Sequence, residues 1–323
     1  MSDNLKEKIK NIPVPLVTNL VGVLTLANVY GGLGFRWLRA SSMAIVAIIW
    51  CMFLLKGILY PKKVVAEYKV TIPASFYTGF TMTLMIMSSF LYEYDIAIGR
   101  LLWLIAVIIH IGLILLFTFK HGIKKINTLD FMPAWFVTYA GIGTAVAVGG
   151  AMGFPMLQKG IAAFVVGIYF FLLPFIVVRL VKKPILKGQF FTQTVMLAPV
   201  SLGIVSYLNA FSEPASWLMT ILTILFVLTL IYYVYIFIQV LAFKFVPGYA
   251  GLTFPAAIGV IAIQKLVGYY DALGNESLAF AFEQIRGFQI YIATIAVGYV
   301  FARFLMLFFD VDKRVKSLYP EEE

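Results

Sequence analysis

The chain has 323 residues, of which 62% are hydrophobic and 12% charged, whereas a soluble domain runs at about 45–50% apolar and about 25% charged. That balance excludes a soluble fold and indicates a polytopic membrane protein. A single cysteine, Cys51, excludes an internal disulfide, and with only His110 and His121 the chain is too poor in ligands for most metal constellations, so no cofactor is expected. The net charge of +10 is what basic cytoplasmic loops produce; it carries little about substrate and does not call for nucleic acid.

The amino end is basic and then apolar, as in a signal peptide. However, the apolar run contains Asn19 and Asn28, continues for about twenty residues and has no clear cleavage site, so it reads as a retained first span. Ten apolar segments follow one another at 13–33, 40–60, 73–92, 98–119, 132–153, 160–181, 194–212, 215–243, 248–270 and 286–309, each near the roughly 20 residues that cross a bilayer. Basic residues alternate between the connections. One side holds Lys6, Lys8 and Lys10, then Lys56, Lys62, Lys63 and Lys69, then Lys120, Lys124 and Lys125, then Arg179, Lys182, Lys183 and Lys187, then Lys244, and finally Lys313, Arg314 and Lys316. The other side holds only Arg36, Arg39, Arg100, Lys159, Lys265 and Arg286. Both termini are therefore expected in the cytoplasm, with residues 1–12 and 311–323 as tails and 13–310 as the membrane domain of a plasma-membrane protein, or an inner-membrane one in a bacterium.

The odd-numbered spans carry a repeat. Pro13, Pro73 and Pro133 stand 60 residues apart, and Pro199 and Pro255 are expected to continue the series, shifted deeper into their helices. Odd spans are rich in small residues, as in PAWFVTYAGIGTAVAVGGAMG, and even spans are bulky, as in LTILFVLTLIYYVYIFI. The expected fold is all-α and integral to the membrane: ten transmembrane helices in five hairpins, odd helices inside around a central pore and even helices outside toward lipid. In the ninth span, Gly248, Gly251, Pro255, Gly259 and Ala262 form a stripe at about 100° per residue, with Phe254 and Lys265 on its border. Such a stripe suits either a path through the membrane or close helix packing. Lys265 lies eleven residues beyond Phe254, about 16 Å along a helix, and either draws anions to the outer mouth or snorkels to the interface.

The spans hold neutral polar groups, such as Thr18, Asn19, Thr78 and Thr144, while the acidic residues fall in connections, tails or span edges. Intramembrane carboxylates mark cation and proton pathways, so their scarcity favours anions. No GxxxxGK[ST] motif is present, and no paired carboxylates or His/Cys cluster offers an enzyme's groups. His110, on an even span, is expected to make a structural hydrogen bond, Arg303 to snorkel, and Asn275-Glu276-Ser277 fits a glycosylation acceptor.

Several stretches carry a family resemblance: PVPLVTNLVGVLTLA in the first span, VAEY before the third, PAWF opening the fifth, MLAPVSLGIVSYL in the seventh and GLTFPAAIG in the ninth. In their order and spacing the chain resembles the tellurite-resistance/dicarboxylate transporter family, which includes plant slow-type anion channels and yeast malate and sulfite exporters. The resemblance implies five hairpins around a pore, a homotrimer with one pore per subunit, and a pore-occluding phenylalanine at Phe254. It implies a gradient-driven channel for inorganic or small organic anions or, in the same fold, a secondary carrier exporting malate, sulfite or tellurite. The expected pore lining is Thr18, Gly22, Thr78, Gly141, Thr144, Pro199, Gly251, Pro255, Gly259 and Lys265.

Overall fold

The computed structural model describes residues 3–124, 131–183, 185–240 and 242–311, and among these every regular element is helical. Lys125, Lys313, Arg314 and Lys316, used above for orientation, lie outside the described residues, as does the tail beyond residue 311. A short amphipathic helix α1 (Asp3–Lys10) precedes α2 (Pro15–Gly32), the two bent by 84° at the Pro13–Pro15 corner. Then come α3 (Arg36–Leu59), α4 (Pro61–Glu67), the broken pair α5 (Thr71–Phe76) and α6 (Gly79–Tyr92), and α7 (Ile96–Phe117) with a π-helical extension Thr118–Ile123. The fifth predicted span is α8 (Trp135–Tyr139), a 3-10 turn Ala140–Ile142 and α9 (Gly143–Val148). It is followed by α10 (Pro155–Lys182), α11 (Leu197–Ala210) entered through a 3-10 stretch Lys187–Met196, and α12 (Ser216–Val240). The last pair is α13 (Thr253–Ala272), entered through a 3-10 stretch Pro247–Leu252, and α14 (Glu276–Phe308).

Each predicted span has a helical counterpart, but not all are independent crossings. Among the described residues eight helices are long and apolar enough to cross a bilayer alone, a ninth counts if α1 and α2 form one bent span, and Trp135–Val148 is a shorter apolar helix. The last helix begins ten residues before the expected 286 and runs for 33 residues, about 50 Å against roughly 30 Å of hydrocarbon, so its first turns, with Glu276 and Glu283, extend past the apolar layer.

The odd segments form a closed ring. Gly79 of α6 abuts Thr18 of α2. Thr78 donates to the carbonyl of Val137 at 3.1 Å, joining the third and fifth spans. Asn209 of α11 donates to Val146 O at 3.2 Å, joining the seventh to the fifth. Thr194 donates to Gly251 O at 3.1 Å, joining the seventh to the ninth, and Gly22 lies against Thr253 and the Phe254 backbone, closing ninth on first. Second contacts give the sense: Met82–Gly141 follows Thr78–Val137, Asn209–Val146 follows Leu202–Gly143, and Leu197–Gly259 follows Phe191–Gly248, so these neighbouring odd segments run parallel. The even helices sit in the outer grooves: Trp50 of α3 donates to Phe80 O, Tyr233 of α12 to Leu252 O, and Gln289 of α14 to Ala256 O. Burial follows the same division. Thr71–Tyr92, Gln189–Ala210 and Pro247–Ala272 are 78%, 89% and 78% buried, while the even helices are 22–39% buried. Small side chains let five backbones converge; bulky ones cover them toward lipid.

Two sequence expectations need correcting. Pro199 and Pro255 do not interrupt an α-helix: each is the third residue of its α-helix, preceded by 3-10 winding, where a missing N–H leaves no helical bond unmade. The proline deep inside a helix is Pro174, in α10. Lys56, counted with the loop charges, is fully buried in α3 and donates to Glu67 at 2.8 Å and to Ile12 O at 2.7 Å. It therefore holds α3, α4 and the corner before α2 together instead of reporting topology.

Candidate functional site

At the centre of the ring is a cavity lined by Thr18 of the first segment, Met82 of the third, Phe136, Val137 and Gly141 of the fifth, Val195, Ala198 and Leu202 of the seventh, and Gly251, Phe254 and Pro255 of the ninth. All five odd segments contribute a residue, and no even helix does. The cavity measures about 10 Å³, the threshold for a single water. Apart from the Thr18 hydroxyl its walls are hydrocarbon, thioether and backbone, and Phe254 is 4% exposed. An ion with a hydration shell does not fit here, and a bare one would lose tens of kcal/mol of solvation in such surroundings.

The segments reach this point through helix breaks, and hydroxyls satisfy the carbonyls that the breaks free. Thr78 donates to Ser75 O at 2.7 Å, Thr81 to Thr78 O at 2.8 Å, Thr194 to Phe191 O at 2.7 Å and Thr253 to Ala250 O at 2.8 Å. Behind the fifth and third segments His110, fully buried, pairs with Thr81 Oγ1 at 2.7 Å and Thr138 O at 3.1 Å, which is the structural role expected of it.

Of the candidate lining residues, Thr18, Gly141, Gly251, Phe254 and Pro255 come together at the cavity. Gly22 stands just beside it as the site of closest approach to the Phe254 backbone, 2.9 Å from where a Cβ would be. Thr78 faces the seam with Val137, and Pro199 is buried in the first turn of α11. Thr144 is buried one turn beyond Gly141, and Gly259 packs on Leu197 and Gln289. Gly248, from the same stripe, packs on the Phe191 ring, so along this stripe close packing and cavity lining alternate. Lys265 lines a separate cavity of about 640 Å³ with Gln264, Leu208, Phe211 and Tyr269.

Met82, Phe136, Val137, Val195, Ala198 and Leu202 are lining residues that sequence reasoning missed. Two had a signal. Setting Pro199 on Pro255 places Ala198 on Phe254 and Val195 on Gly251, and all four line the cavity.

At the other ends of α2, α3 and α6, a cavity of about 620 Å³ is lined by Asn28, Arg36, Arg39, Phe90 and Glu93 among others. Arg39 forks onto both Glu93 oxygens at 2.8 and 2.6 Å and donates to Asn28 Oδ1 at 2.7 Å. Those hydrogen bonds, helped by the charges of Arg39 and Arg36 against partial burial, hold the Glu93 carboxyl below its ordinary range.

A comparison with curated proteins gives no match. The family model described as voltage-dependent anion channel (SLAC1) matches residues 16–309, a span that includes every residue lining the central cavity. The chain thus belongs to the voltage-dependent anion channel family, the group of anion channels and transporters to which the tellurite-resistance/dicarboxylate resemblance pointed.

Proposed function

We propose that this protein is a gradient-driven channel for small anions, with the passage running through the middle of each subunit and Phe254 as its gate. The observation that carries the reading is the central cavity: all five odd segments line it, Phe254 is among its lining residues, and it measures only about 10 Å³. An apolar constriction of this size blocks ions by excluding water, and displacing one ring re-opens a wet path. In this reading Thr18, Gly141, Gly251 and Pro255 line the narrowest part, while Lys265 stands at the outer mouth as an attractor of anions. Residues 13–310 form the channel domain in the plasma membrane, both tails are cytoplasmic, and three subunits assemble with a passage each.

The test is Phe254→Ala in planar bilayers with chloride or nitrate as charge carrier. Its anion current is expected to rise by about ten-fold or more, the scale of removing roughly 1.4 kcal/mol from a barrier. Current equal to that of the unaltered protein would overturn the gate. A carrier for malate, sulfite or tellurite in the same fold is the second reading; the closed cavity suits an occluded carrier state as well. Discrete unitary currents in the variant favour the channel, and saturable exchange without them favours the carrier.

A further inference from the structure

Along the inner segments nearly every hydroxyl is engaged. Thr25, Thr83, Ser88, Ser201 and Ser206 bond to carbonyls four residues back, and the threonines at the breaks cover the carbonyls freed there. Asn19 and Thr144 differ. Asn19 is 0% exposed and Thr144 2% exposed, and neither the two amide atoms of Asn19 nor Thr144 Oγ1 has a hydrogen-bond partner among the described residues. Trp135 Nε1 shares that state, but its ring stands in a cluster with Phe117, Phe131 and Tyr139, away from the centre. Burying such a group unpaired is costly, and each instance in a native protein calls for a reason.

Their places supply one. On α2, at about 100° per residue, Gly22 falls between Thr18 and Asn19, about 40° from the first and 60° from the second. Thr18 lines the central cavity, and Gly22 touches Thr253 and the Phe254 backbone. Asn19 is therefore on the face of α2 turned to the junction that carries Phe254. Thr144 follows the cavity residue Gly141 by three positions, one turn further along the same face. Both lie on the carboxyl-terminal side of the constriction in parallel segments. Few polar groups are left available there. Carbonyls of Ser75, Thr78, Val137, Phe191, Ala250 and Gly251, which could ligate a cation, already accept threonine hydroxyls. What remains is the Asn19 amide, whose –NH2 donates and whose Oδ1 accepts, and the Thr144 hydroxyl, which does either; the N–H and O–H donors are the groups that suit an anion.

We propose that Asn19 and Thr144 are the anion-coordinating groups of the passage, their N–H and O–H donors replacing part of the water shell of a small monovalent anion such as chloride or nitrate when the Phe254 ring moves aside. This rests on the reading of the central cavity as the ion path. It is tested in the Phe254→Ala background with Asn19→Leu and Thr144→Val, which keep the volume and remove the donors. Chloride current is expected to fall by about ten-fold or more, the scale of one lost hydrogen bond to a charged group. The thermal midpoint is expected to hold or rise, because an unpaired polar group has been replaced by an apolar one. If Asn19→Leu does not insert, Asn19→Ser, with one donor on a smaller side chain, is expected to shift the chloride-to-nitrate permeability ratio. Unchanged current and ratio in these variants would overturn the proposal alone, as would a lowered midpoint, which marks a structural bond. Absence of anion current in Phe254→Ala itself would overturn the path reading and the proposal with it.

Discussion

Glycine at position 22 sets how closely α2 approaches the segment bearing Phe254. A Cβ there would stand 2.7 Å from Thr253 Cβ and 2.9 Å from the Phe254 nitrogen, and neither atom can rotate out of the way. Alanine in a helix interior gains about 0.8–1 kcal/mol over glycine, while overpacking costs about 1–3 kcal/mol; with backbone as the obstacle the cost lies toward the upper end, and Gly22→Ala is expected to lose up to about 2 kcal/mol. At Gly141 the nearest obstacle is Met82 Sδ at 2.8 Å, the adaptable end of a thioether, and Gly141→Ala is expected to be near neutral. Thermal midpoints of the two variants in detergent check the contrast; equal losses would contradict it. The sequence made Phe254 legible because it stands in a motif. Lys265 was legible as a residue on the border of the same stripe, eleven positions and about 16 Å further along, and it lines a cavity of its own. Met82 and Leu202 carried no signal: in an apolar span a wall residue looks like any other.

At the scale of elements, the alternation of small and bulky spans was readable and matches the division into inner and outer helices. Helix type was not. Nothing in PGYAGL or in KGQFFTQTVM announces 3-10 winding, so Pro199 and Pro255 looked internal when they open α-helices. Lys56 was misread for a related reason: its carboxylate partner, Glu67, arrives from the next helix, α4, and only tertiary structure brings the pair together. The joint between α3 and the end of α6 is a different ion pair, Arg39 with Glu93, and it has a pH signature. The Glu93 pKa is lowered in the folded protein, chiefly by hydrogen bonds from Arg39, so the pair stabilises above the ordinary carboxylate value of about 4.3 and fades as pH falls through the lower folded value. Because Glu93 is half exposed, its contribution is at most about 1 kcal/mol. Glu93→Gln is expected to lower the thermal midpoint slightly and by a constant amount above about pH 5, with the difference closing in stronger acid. A difference unchanged through that acid range would show that the carboxylate charge is not what matters.

At the scale of the whole molecule, the closed ring encloses the central cavity within one chain, and the proposed passage would run through it. If that passage conducts, subunits act independently in any assembly. Membranes containing unaltered and Phe254→Ala chains in varied ratio are then expected to show current proportional to the variant fraction. A steep, higher-power dependence would instead place the route on an axis between subunits. Five is an odd number, and a ring of five has no diameter joining two members. The segment bearing Phe254 therefore looks across at a seam, the one between the third and fifth spans, where Met82, Val137 and Gly141 form the far wall. His110 clasps that seam from behind through Thr81 and Thr138. In the proposed gate, the wall facing Phe254 is thus held by an imidazole on an outer helix, and loosening that clasp is expected to alter the gate without touching the segment that bears it.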